Sequence, residues 1–160
     1  MKTLRGHVWK FGDNINTDLM MPGFTLRGMG LDEAKKYCMH ANRPEFAGQV
    51  QPGDVIVGGK NFGCGSSRPA PDVLIALGVS CILAESAGGI FYRNCINSGL
   101  PIITQKDLSN SFEEGDEVEV FLETGYVKSL QTGKTISIPS FPPELQAILD
   151  AGGILNVIKR

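Results

Sequence analysis

Among the four cysteines (Cys38, Cys64, Cys81 and Cys95) there is no C-x-x-C pair, which removes the usual spacing of a zinc site or a redox dithiol. Reduced thiols are expected. No run of about 18 apolar residues occurs, so no membrane partner is expected. The start, MKTLRGHVWKFGDN, lacks the apolar stretch of a secretory signal, and a cytoplasmic protein follows as the expectation. Neither sign of charge is in excess: 15 Lys and Arg stand against 17 Asp and Glu, a formal charge of -2. That balance offers no basic field to nucleic acid or to an anionic membrane. The two histidines, His7 and His40, fall in no metal-ligand spacing and read as structural or surface residues. Repeats, linkers and low-complexity tracts are also missing.

What is present suits a single domain over residues 1–160. The chain is 42% hydrophobic and 20% charged, which excludes disorder and coiled-coil readings. Its 20 glycines point to tight turns or to backbone that approaches a ligand closely.

Strand-forming residues run from Thr3 to Phe11 and give way to a long irregular loop, Asp13 to Gly30, rich in Asx, glycine and short apolar runs. Leu31 to Met39 has helical spacing, with Asp32 and Glu33 in its first turn. Pro52-Gly53-Asp54 predicts a turn into the strand Val55-Ile56-Val57, followed by a second glycine-rich loop, Gly58 to Arg68. A helix over Pro71 to Leu77, a strand over Cys81 to Ala84, a helix around Ile90 to Asn97 and a strand at Ile102-Ile103 come next. This alternation predicts an α/β fold. Glu117 to Leu122 and Lys134 to Ile138 add alternating strands with one solvated face, and a last helix, Pro142 to Ala151, ends at Gly152-Gly153.

The segment GGKNFGCGSSRPAP, Gly58 to Pro71, sits between a predicted strand and a predicted helix, where α/β proteins place ligand loops. It is not a P-loop, because Lys60 precedes the turn and Arg68 follows it. It lacks the third glycine of a dinucleotide fingerprint and the flanking glycines of a hydrolase elbow. What it offers is a serine pair, Ser66-Ser67, next to glycine-freed N–H groups and an arginine, a combination that stabilises negative charge. Two roles follow for Ser66: a base whose alkoxide is stabilised by those donors, or a cap of the next helix.

Asn61 through Arg68, NFGCGSSR, resembles the signature of the swivelling domain of the aconitase superfamily. In the isopropylmalate and homoaconitate dehydratases of that superfamily this domain is a separate small subunit. The likeness continues through Asn16-Thr17-Asp18 with Pro22-Gly23, through Ala84-Glu85-Ser86 to Ile90-Phe91-Tyr92-Arg93-Asn94, through Asn97 to Ile102, and through Ala151-Gly152-Gly153. The resemblance implies a single swivelling β/β/α domain that acts as the small subunit of a hydro-lyase, active only with a large Fe-S subunit. In it Ser66 would be the catalytic base and Arg27, Ser67, Arg68 and Asp18 would bind substrate, the two arginines through its carboxylates.

The implied reaction dehydrates and rehydrates a hydroxy acid, 3-isopropylmalate of leucine biosynthesis first. Homoaconitase, aconitase-like, dimethylmalate or maleate chemistry, or a non-catalytic dicarboxylate-binding domain, are the alternatives. No cofactor is expected on this chain. The [4Fe-4S] cluster is expected on the large partner, in a heterodimer or heterotetramer, since these four cysteines lack a cluster's spacing. Two segments depart from the family pattern. Pro69-Ala70-Pro71 replaces an acidic residue followed by His or Gln, and Ala87-Gly88-Gly89 replaces Phe-Ala-Arg.

Overall fold

In the computed structural model, which describes residues 3–65 and 68–159, seven strands form one mixed sheet in the order β4-β3-β2-β1-β5-β6-β7. β1 (Thr3–Lys10), β2 (Val55–Gly58), β3 (Cys81–Ala84) and β4 (Ile102–Thr104) are mutually parallel, with Val8 opposite Val55, Val55 opposite Cys81 and Ile82 opposite Ile102. β2 and β3 are buried at every position, as expected of parallel strands covered on both faces. β5 (Glu117–Phe121), β6 (Tyr126–Ser129) and β7 (Thr135–Ser137) continue the sheet as an antiparallel meander on the other side of β1. There the burial alternates, half-buried then buried along β5, which is the pattern its sequence predicts. The chain therefore has the mixed α/β fold expected of it.

The crossovers carry the helices. Between β1 and β2 lie the one-turn helices α1 (Thr17–Met20), α2 (Leu31–Ala34) and α3 (Phe46–Gln49). α4 (Ala70–Ala76) links β2 to β3, and α5 (Gly89–Ser98) links β3 to β4. α6 (Pro143–Ala151) and α7 (Ile154–Ile158) close the chain. α5 and α6 end where the glycines predict, with Gly99 and Gly152 in the left-handed conformation at φ 88° and 82°.

Four segments differ from the sequence reading. The helix expected over Leu31–Met39 stops at Ala34 and tightens into a 3-10 turn, Lys35–Tyr37. Cys38 and Met39 are fully buried, and the Met39 N–H is spent on the Leu19 carbonyl at 2.7 Å rather than on a continuing helix. β6 was hidden in a short stretch around Gly125, whose φ of 81° makes the turn that lets it pair back on β5. α1 lies inside what reads as irregular loop, and α7 follows Gly152-Gly153, which were expected to end the regular structure.

A buried carboxylate ties the lower sheet together. Asp54, 4% exposed, accepts from the His7 N–H (3.1 Å), the Trp9 indole N–H (2.9 Å) and the Gln51 N–H (2.9 Å). Trp9 and Phe11 pack edge-on against Phe46, and the Arg43 guanidinium lies 4.7 Å from the Trp9 ring centre. Arg43 also donates to the Lys10 carbonyl and pairs with Glu45 and Glu114, so the 40s segment is pinned to β1. His7 and His40, expected to be structural or surface residues, are both exposed.

Candidate active site

The carboxyl ends of β1, β2 and β3 carry three loops, and backbone hydrogen bonds lace them into one surface. Gly59 N–H donates to Gly12, Asn14 N–H to Lys60, Gly63 N–H to Ile15 and Thr17 N–H to Cys64, at 2.6 to 3.1 Å. On the other side Phe62 N–H donates to Ser86 and Gly88 N–H to Phe62, at 3.0 and 2.9 Å. Side chains complete the lacing. The Asp13 carboxylate accepts from Lys60 N–H at 2.7 Å, the Ser86 hydroxyl accepts from Asn61 N–H at 2.7 Å, and the Asn61 amide donates to Asn14 Oδ1 at 3.1 Å. The carboxyl edge of parallel strands is where α/β folds bind ligands, and here hydrogen bonds tie its loops to one another.

One glycine is indispensable to this packing. Gly63 has φ 76°, and a Cβ there would lie 2.2 Å from the Phe91 ring. Gly88, part of the Ala87-Gly88-Gly89 departure, does similar work: a Cβ on it would meet the Gly63 carbonyl at 2.8 Å. The second departure also has a structural outcome. Pro69 is the N-cap residue of α4 and supplies no side-chain cap, and Pro71 sits in the first turn, so the N-cap position does not fall on the serine pair.

Asn16 caps α1, accepting from Leu19 N–H at 3.1 Å, and presents Asp18 in the first turn. From the second loop Arg68 reaches across to it. The Asp18 carboxylate lies 2.8 Å from Arg68 Nη2, and Arg68 Nη1 donates to the Met21 carbonyl at 2.7 Å. Two residues singled out in the sequence, fifty positions apart, are thus in contact. The Arg68 side chain is 19% exposed and Asp18 59%, so the cation is the recessed member of the pair. Arg68 also borders a cleft of about 310 Å³ with Pro69, Asp72, Asn94 and Asn97. Sequence reasoning did not pick the asparagines as site residues. Their only signal was membership of the family-like segments.

Arg27 is placed differently. It ends the 3-10 turn Gly23–Leu26 and is exposed, with exposed Phe24, Leu26 and Leu31 as neighbours along the same loop. Ser66 and Ser67, the expected base and its neighbour, lie outside the described residues. A larger cleft of about 680 Å³ lies at the opposite, amino-terminal ends of the strands, among Leu4, Ser80, Pro101 and Leu149, and holds none of the candidate residues.

The thiols separate into two classes. Cys38, Cys81 and Cys95 are buried, and burial pushes all three thiols up, Cys38 and Cys81 to about 12. Cys64, in the site loop, is only half-buried. The four do not converge, and among the described residues no group of three His, Cys, Asp or Glu is placed to hold a metal ion. The cysteines of this chain therefore do not fit an iron–sulfur cluster.

A disulfide reagent at about pH 8 is expected to label Cys64 first and the other three only on unfolding. A folded thiol pKa above the unfolded one means that the unfolded chain loses its protons first. The stability due to burying these thiols is therefore intact below about pH 9 and declines as pH rises from there toward 12. Thiol counting by mass, and urea midpoints across that range, check both expectations.

The profile of the aconitase C-terminal domain family matches residues 31–108. The isopropylmalate/citramalate isomerase small subunit of Methanocaldococcus jannaschii is 48% identical, over 98% of this chain and 94% of its own. The chain belongs to the 3-isopropylmalate dehydratase small-subunit family. A 3-isopropylmalate dehydratase small subunit of Aquifex aeolicus is 47% identical, over 97% of this chain and 94% of its own. The crystal structure of a 3-isopropylmalate dehydratase from Methanocaldococcus jannaschii superimposes with a TM-score of 0.92 at 37% identity, covering 99% of this chain and 94% of that one. The small-subunit family also includes the methanogen homoaconitase small subunit of Methanothermobacter thermautotrophicus, 47% identical over 96% of this chain and 89% of its own. Overall identity therefore does not separate the two substrates. Local chemistry at the site must do so.

Proposed function

We propose that this chain is the small subunit of 3-isopropylmalate dehydratase and supplies the proton-abstracting half of its site. The observation that carries the reading is Arg68, a recessed guanidinium fixed at the carboxyl edge of the sheet, immediately after the serine pair in the chain. Removing a proton from the carbon beside a carboxylate builds enolate-like charge on that carboxylate. A planar guanidinium is the side chain best suited to hold it.

In this reading Ser66 is the base, Arg68 and Ser67 bind the substrate carboxylate, and Arg27 binds the second carboxylate from the outer loop. Asp18 belongs to the same site through Arg68. Expelling the hydroxyl calls for a Lewis acid. The cysteines here do not fit a cluster, so we assign the [4Fe-4S] group to a large partner subunit, in a heterodimer or heterotetramer in the cytoplasm. The three interlocked loops, with Phe24, Leu26 and Leu31 exposed, form the face that such a partner would complete.

The substrate assignment follows from the outer loop. Leu26, exposed beside Arg27, offers the apolar neighbour that an isopropyl group needs, while Met29 packs partly against the core; a third carboxylate would need further cations. Assayed with its large subunit, the chain is expected to turn over 3-isopropylmalate with kcat/KM about tenfold or more above homoaconitate, citrate, dimethylmalate or maleate. Preference for homoaconitate would instead identify Arg27 as the ligand of an extra carboxylate, and would reject the isopropylmalate assignment.

A further inference from the structure

We propose that Asp18 is a positioning residue for Arg68 rather than a ligand of the substrate. The proposal deepens the reading above and rests on Arg68 being the carboxylate-binding arginine. An arginine side chain has four rotatable bonds and is of little use to a transition state unless its fork is already aimed. Among the described residues two acceptors, both from the α1 segment, perform that aiming: the Met21 carbonyl on Nη1 at 2.7 Å and the Asp18 carboxylate on Nη2 at 2.8 Å. The carbonyl belongs to a backbone that is itself fixed. Met21 N–H donates to Thr17, Met39 N–H donates to Leu19, and Thr17 N–H donates to Cys64, so α1 is bonded to the 30s segment and to the site loop.

Among the described residues, Asp18 is the charged member of this clamp and the one that a side-chain substitution removes. Its carboxylate is already engaged by the recessed guanidinium. It carries the same sign as the substrate, so direct contact with a substrate carboxylate would be repulsive. Positioning through Arg68 is the role that both the geometry and the charge allow.

The test is a double-mutant cycle on the reconstituted two-chain enzyme, using Asp18→Ala, Arg68→Ala and the double variant. It reads KM, kcat and the inhibition constant of 2-isopropylsuccinate, the substrate skeleton without its hydroxyl. Asp18→Ala is expected to raise KM and the inhibition constant about tenfold, with a smaller fall in kcat, the scale set by losing one charge-assisted bond to the guanidinium. In the Arg68→Ala background the same substitution is expected to change them less than twofold, because a residue acting through Arg68 has nothing left to act on. Asp18→Asn, which keeps an acceptor in place, should restore most of the inhibitor affinity.

Equal losses in both backgrounds would overturn the positioning role, as would an Asp18→Ala variant that binds the inhibitor normally. If Arg68→Ala itself binds the inhibitor normally, the reading of Arg68 as the carboxylate ligand fails and the inference fails with it. Thermal midpoints of all five proteins, wild type included, separate these results from loss of fold.

Discussion

Ser66→Ala is expected to lower turnover of the reconstituted enzyme by about two to four powers of ten, the usual worth of a positioned general base. Folding and association with the large subunit should be unchanged. Contacts among the described residues on both sides of the substitution hold the loop. Gly63 and Cys64 are bonded to Ile15 and Thr17, and Arg68 is bonded to Asp18 and Met21. An alanine side chain also fits any backbone conformation that serine adopts, so no strain is introduced. A serine with only a structural role would behave differently, lowering stability by about 1 kcal/mol and leaving turnover nearly intact. Steady-state rates and a denaturation midpoint for the same variant, with cluster content measured separately, distinguish the two outcomes. Near-normal turnover would end the assignment of Ser66 as the base.

A second large effect concerns the chain in isolation. Purified alone, it is expected to show no dehydratase activity, and activity should appear on addition of the large subunit with its cluster. Proton removal and hydroxyl departure are coupled in a dehydration, and a serine base without a Lewis acid leaves the hydroxyl a poor leaving group. Titrating large subunit into a fixed amount of this chain and following the absorbance of the unsaturated acid gives the stoichiometry directly. Dehydration by the isolated chain would refute the division of labour. If the isolated chain binds a dicarboxylate but gains no activity with any partner, it is a non-catalytic binding domain instead.

Much of this molecule is legible locally. Val55-Ile56-Val57 and Cys81 to Ala84 are short apolar runs bounded by turn residues, and both became fully buried parallel strands. Gly99 and Gly152 stop their helices because a left-handed residue is cheap only without a Cβ. The ordered series of short segments that carries the family resemblance lies mostly in the loops at the strand ends. Such segments are informative because their backbone conformations tolerate few residues, as the contact that a Cβ on Gly63 would make with Phe91 shows.

Propensity rules misread the segments whose hydrogen bonds go elsewhere. Leu31 to Met39 has helical spacing, yet the chain leaves the helix after one turn. A buried Met39 N–H bonded to Leu19 and a fully buried Cys38 outweigh a further turn of weakly favoured helix. α1 is too short to announce itself by periodicity, and what fixes it is the Asn16 cap together with its bonding to the second loop. β6 exists because β5 offers it an edge.

Residue pattern was enough to establish the fold class, and the order of the motifs the family, since these depend on neighbours in the chain. Which of the site residues meet depended on the fold alone. Asp18 and Arg68 belong to loops after different strands, and only the parallel register of β1 with β2 sets those loops side by side. The same register delivers the Met21 carbonyl, which no side-chain pattern encodes, and leaves Arg27 at the exposed rim. A strand pairing is a long-range choice made by the burial of a whole sheet, and the geometry of a site built on it is decided at that level.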